Sequence, residues 1–130
     1  MAHTSVIPMR RGEGQPYATL DVRINRSRTF RLIIHTGATR TVITPRVQQV
    51  LTLEVRPGLA LVAAGVTASA GRALLGSLEI EGFEETRVEN LQVRVVELPF
   101  GDGALGLDYP SHFAEVCYSF ATSSLRLTSY

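Results

Sequence analysis

The sequence predicts a single all-β domain, residues 1–130, with one or two short helices. Three observations carry that expectation. Strict alternation in "YATLDVRIN" sets Ala18, Leu20, Val22 and Ile24 against Thr19, Asp21 and Arg23, the period of a half-buried strand. Apolar and β-branched runs recur at short intervals, in "RLIIH", "TVIT", "LQVRVVEL" and "SLRLT", with polar or glycine-bearing turns between them. Helical periodicity is scarce. Short strands so spaced suggest a partly closed barrel or a sandwich.

Taken in order, "NRSR" (25–28) is a polar turn that makes "TFRLIIH" the second strand of a hairpin. "TPRVQQVL" (44–51) opens with Thr-Pro, a helix-start signal with proline at the first helical position, and is long enough only for a short helix or turn. "RPG" (56–58) is a turn. Residues 59–75 read as two apolar segments around a centre rich in small residues, "AGVTASAGR", which suits a mobile hairpin tip. Residues 77–98 give two or three strands, with turns near Gly82 and Glu89-Asn90. "PFGDG" (99–103) is a loop, a short helix is expected around 110–117, and "SLRLTSY" closes the chain as an alternating strand.

Composition narrows the function. A chain of 130 residues with 45% hydrophobic and 19% charged residues is an ordinary globular domain. The single cysteine, Cys117, excludes an internal disulfide framework and a cysteine-based zinc site. A net charge of +1 argues against nonspecific nucleic-acid binding. The charge is uneven: residues 1–46 carry eight Arg against two acids, and residues 47–130 five Arg against ten. No basic residue is lysine, which reflects composition first; its functional reading is pairing with carboxylates, across a dimer or on a peptide. The first fifteen residues have no signal-length apolar core, so a cytoplasmic location is expected. Residues 58–75 are low in charge, but they hold Arg72 and many small residues and read as a β-ribbon, with no membrane partner.

The stretch with chemical content is "LIIHTGATRTVIT" (32–44): a strand, His35-Thr36-Gly37-Ala38, then a second strand. It resembles the active-site loop of retropepsin-like aspartic peptidases, Asp-Thr/Ser-Gly-Ala between apolar runs. A second element, "GALGLDYPSHF" (103–113), is similar to the hydrophobic-hydrophobic-glycine segment that this family places before its late helix. The resemblance spans roughly residues 16–128. It implies a retropepsin-like half-barrel and a two-fold homodimer acting on a peptide or protein substrate, with no cofactor and no metal. Each chain would contribute one carboxylate to a shared dyad that activates water. Thr36 would brace the loop across the dimer, and Gly37 and Ala38 would leave room for substrate. A flap at about 62–73, centred on Val66–Gly71, would close over the peptide. Ala38, Thr39, Arg40, Ala64, Gly65, Val66 and Thr67 would line the groove, and a terminal strand at about 125–129 would join the partner's termini.

The chain departs from that pattern at the catalytic position itself, where the family's aspartate is His35. Two imidazoles at a two-fold axis repel when protonated. When neutral they supply no negative charge to polarise water. Loss of a positioned acid or base typically removes about 10²–10⁴-fold in rate, so an inactive or severely impaired peptidase is expected. Against this stand a zinc-ligand reading of His35, which lacks the three or four ligands zinc needs, and a plain core histidine. A noncatalytic peptide-binding or dimerisation module on the same fold is the functional alternative, and a structural β-barrel with an accidental motif the third. Asp108 reads as an N-cap or loop brace, Asp102 as a turn residue, His112 as exposed or capping, and Cys117 as a small buried hydrophobe. The cluster Arg23, Arg26, Arg28 and Arg31 reads as a solvated hairpin end.

Overall fold

The computed structural model describes residues 2–11, 18–34, 39–63, 66–98 and 101–130, with backbone alone for 11, 58–63 and 66–70. The chain enters through β1 (Thr4–Pro8) and β2 (Arg10–Arg11), then forms the hairpin of β3 (Ala18–Ile24) and β4 (Arg28–Ile34). Ala18, Leu20, Val22 and Ile24 are all buried, as the alternation requires. Asn25 and Arg26 both take positive φ, at 55° and 53°, within the three-residue connection between the paired Ile24 and Arg28, and the Ser27 amide donates to the Ile24 carbonyl at 3.0 Å. The Asn25 side chain also accepts from the amides of Gly76 and Ser77 at 2.7 and 3.1 Å, fastening the turn to a distant strand.

After β5 (Val42–Ile43) comes α1 (Pro45–Leu51), with Thr44 as its N-cap and Pro45 in its first turn. Thr52 ends it in the left-handed region, and its amide donates to the carbonyls of Gln48 and Gln49. The chain continues through β6 (Arg56–Ala63), β7 (Val66–Ile80), β8 (Phe83–Val95) and β9 (Gly103–Leu105). A 3-10 turn at Pro110–His112 leads into β10 (Glu115–Ser119) and β11 (Ser124–Thr128).

The main sheet runs β2-β3-β4-β9-β5-β8-β7-β6, and a further β3–β7 pairing closes six of its strands into a barrel. β4 pairs β9 in parallel, β9 pairs β5 antiparallel, and β5 pairs β8 in parallel. Val22, Ile24, Leu32, Ile43, Val47, Leu75, Leu78 and Val93 fill the interior, each at most 1% exposed. β1, β11 and β10 form a separate three-stranded antiparallel sheet. No helix among the described residues is long and apolar enough to cross a membrane.

Four local expectations differ from the structure. The helix expected around 110–117 is one 3-10 turn, followed by β10. Val116, Cys117 and Tyr118 favour a pleated surface, and pairing along the whole of β11 overrides the proline start signal. Cys117 is exposed on that strand, not buried. The turn expected at Glu89-Asn90 is absent: Asn90 has a φ of 55°, yet β8 runs through it, held against β7 on both sides. β11 is the central strand of its sheet, flanked by β1 and β10 of its own chain, so both its hydrogen-bonding edges are taken. The N-terminal strands carry too little periodicity to have been expected.

Candidate functional site

Residues 35–38 join the end of β4 to the bend before β5 and lie outside the described residues, as do residues 64–65. His35, Thr36, Gly37, Ala38, Ala64 and Gly65 therefore have no described geometry. Val66 and Thr67 begin β7 along its backbone, opposite Ala63 and Val62. Thr39 and Arg40 are exposed.

What grips the loop is fully described. Thr41, three residues past Ala38, is completely buried. Its amide donates to both carboxylate oxygens of Asp108 at 2.9 Å, and its hydroxyl donates to Oδ1 of Asp108 at 2.7 Å. The same hydroxyl accepts from the Gly106 amide at 3.1 Å, and the Thr41 carbonyl accepts from the Arg94 amide at 3.0 Å. The Asp108 amide donates to the Thr39 carbonyl at 3.2 Å. Every polar atom of Thr41 thus has a partner. Bonds to an ionised carboxylate are the strong kind. The segment leaving the loop is held by "GLD" of the second motif, and Asp108 is a loop brace as its sequence position suggested.

Two glycines make that approach possible. A Cβ on Gly106 would overlap the Arg40 backbone, and one on Gly103 would overlap the Val42 carbonyl oxygen. Asp102 does more than fill a turn. Its carboxylate accepts from the Arg31 amide at 3.0 Å and pairs with Arg46 at 2.9 Å, tying β4 to α1. Tyr109 lies buried beneath the loop's anchor and donates its hydroxyl to the Thr86 carbonyl at 2.9 Å. Burial pushes its phenol well above the ordinary tyrosine range, opposed by that hydrogen bond. Gly106 is the glycine of the second motif, whereas Thr41 and Gly103 carried no individual signal in the sequence, because each acts across more than sixty residues of chain.

Beside the anchor, an apolar cleft of about 270 Å³ opens between the barrel and the three-stranded sheet. Ile34, the residue before His35, lines it with Leu105, Leu107, Val116, Tyr118 and Leu127. Leu107 and Val116 are 48% and 37% exposed, so this end of the molecule presents apolar surface.

A barrel of this topology, with the segment entering β5 held by the glycine-bearing stretch that follows β9, defines the retropepsin-like fold. Solved structures with that fold superpose closely. A retropepsin-like aspartic protease from Rickettsia conorii matches with a TM-score of 0.76 at 16% identity, over 99% of this chain and 94% of that one. The EIAV protease, complexed with an inhibitor, matches with 0.61 at 17% identity, over 78% and 92% of the two chains. The retroviral protease-like domain of Ddi1 from Leishmania major matches with 0.59 at 18% identity, over 84% and 86%. No curated protein sequence matches the chain. Residues 20–109 match the family described as aspartyl protease, and the chain belongs to that family.

Proposed function

We propose that this chain is a retropepsin-like aspartic endopeptidase scaffold, working as a homodimer, in which His35 occupies the catalytic aspartate position and leaves hydrolysis absent or severely impaired. The anchoring of the loop by Thr41, Asp108 and Gly106 carries this reading. Strands on either side of the motif, the second entered through the anchored Thr41, support a role in presenting one side chain, and the residue proposed for that role is His35.

The scheme runs as follows. Two copies meet at the end of the barrel where Ile34, Leu107 and Val116 offer apolar surface. With β11 flanked by its own neighbours, the partner is met through this cleft and the open edge of β10. Residues 35–37 of each copy face one another, Thr36 bracing the loop and Gly37 keeping it narrow. An extended peptide lies over Ala38, Thr39 and Arg40 as an added strand. The β6–β7 hairpin, with Ala64–Thr67 at its tip, closes over it as a flap. With aspartate at position 35, the two carboxylates share a proton and drive a water onto the scissile carbonyl, one as base and one as acid. With His35, the pair has no negative charge to polarise that water.

The decisive experiment is His35→Asp, assayed beside the chain as it stands on a mixed peptide library from about pH 4 to about pH 8. Cleavage by the aspartate form alone supports the reading. Cleavage by neither form favours a second one, a noncatalytic peptide-binding module; the intact Thr36-Gly37-Ala38 beside an altered His35 is the feature that favours it. Cleavage by the histidine form alone overturns the mechanism.

A further inference from the structure

The strand register sets three arginines side by side. Arg56 on β6 faces Arg72 on β7, and Arg72 faces Arg94 on β8. Directly opposed residues share a face of a sheet, so the three guanidinium groups project together. Ala73 and Val93, the neighbours of opposite parity, lie in the core, which puts the arginines on the other face. Like charges placed directly opposite one another cost stability unless something neutralises them.

Two of the three are partly answered. Arg56 pairs with Glu54 at 3.4 Å, and Nε of Arg72 donates to the Pro57 carbonyl at 3.1 Å. Arg94 is not. It is 8% exposed, and its Nε and Nη1 are buried with no hydrogen-bond partner among the described residues. A buried cation without an acceptor is costly, and native structures seldom leave one unless a ligand completes it. Arg56 and Arg72 line a cleft of about 530 Å³ with Glu54, Leu74 and Gln92.

The arginine face leads back to the motif. Ile33, two residues before His35, pairs with Ala104; Ala104 pairs with Val42, and Val42 with Arg94. These residues share one face of the sheet, apolar near the motif and cationic beyond Val42, with Ile33, Ala104 and Arg94 buried and Val42 half-buried. From Ile33 to Arg94 is three strand spacings, about 14 Å, the length of about four residues of extended peptide.

We propose that Arg94, with Arg72 and Arg56, forms a carboxylate-binding subsite that selects an acidic side chain three to four residues from the scissile bond of an extended peptide. This rests on the peptide-groove reading above and names the substrate class of that groove. Carboxylate is the chemistry that fits. Its two oxygens match the guanidinium fork, and Glu54 on Arg56 shows a carboxylate already seated at the end of the row. Arg94 is a specificity residue here and takes no part in the bond-breaking step.

The test uses the chain as it stands, with its arginine side chains isotope-labelled for NMR. It is titrated with an extended acidic peptide, with the same peptide carrying glutamine for glutamate, with glutarate, and with inorganic phosphate. The acidic peptide is expected to bind at least about tenfold more tightly than its glutamine twin and to shift the Arg94 Nε–H signal. Arg94→Met should equalise the two peptides, and Arg72→Gln should narrow the gap; Arg94→Lys, retaining charge without the fork, should keep part of it. A glutarate shift at Arg94 without peptide binding supports the subsite and overturns the groove. Equal affinity for the two peptides overturns the subsite while leaving the groove. A preference that survives Arg94→Met, or an Arg94 signal that responds to phosphate and to no carboxylate, also overturns it.

Discussion

Two neighbouring places in the sheet handle polar groups in opposite ways. At the completely buried Thr41 every hydrogen-bonding atom is matched, by Asp108, Gly106 and Arg94. One strand away, the Arg94 side chain is nearly as buried, and two of its nitrogens have no hydrogen-bond partner among the described residues. The backbone of Arg94 thus belongs to the satisfied network while its side chain belongs to an unsatisfied one. A matched network fixes position, which is what a catalytic loop requires. An unmatched buried charge stores binding energy, which is what a specificity pocket requires.

The contrast can be broken from either side. The largest effect is expected from Asp108→Ala, which strands the buried amide and hydroxyl of Thr41 and should cost about 3 kcal/mol or more, read as a lowered urea midpoint. Gly106→Ala should cost about 2–3 kcal/mol by the same measurement, because the added methyl overlaps the Arg40 backbone. Thr41→Val removes the hydroxyl alone and leaves the Gly106 amide without an acceptor, at a cost of about 1–3 kcal/mol. Arg94→Met should behave differently. It deletes a buried charge that lacks a partner at Nε and Nη1 among the described residues and keeps most of the aliphatic stem, so stability should stay within about 1 kcal/mol or rise. A loss as large as that from Asp108→Ala would mean that Arg94 holds the fold together and has no pocket to serve.

The smallest effect concerns Tyr109, the buried phenol beneath the anchor. Burial raises its pKa in the folded state, so the folded chain holds that proton more tightly than the unfolded chain does. Its contribution is complete below the unfolded value of about 10 and is lost as pH rises beyond it. Denaturation midpoints should therefore be insensitive to Tyr109 at neutral pH and fall above about pH 10, and Tyr109→Phe should flatten that part of the decline.

The fold was legible where local chemistry and tertiary demand agree. Alternation at 18–24 marks a strand buried on one face, and Thr44-Pro45 marks a helix start. The rest was hidden for physical reasons. Pro110 signals a helix that lasts a single turn, because the chain beyond it is captured by β11. Thr41 looks like any β-branched strand residue until Asp108 and Gly106 arrive from more than sixty residues away. Nothing along their own strands sets Arg72 and Arg94 apart; only the register between strands brings them together. Asp108 was legible as a brace because an aspartate after a glycine at a loop end has few other uses.

In the proposed function, position 35 works in pairs across a homodimer. The most direct test mixes the His35→Asp form with increasing amounts of the chain as it stands, at fixed total protein, and follows peptide cleavage. If two chains share one site, mixed dimers carry one aspartate and one histidine and are dead, so activity falls with the square of the aspartate fraction. Activity that falls only linearly, or a His35→Asp form with no activity to dilute, would contradict it.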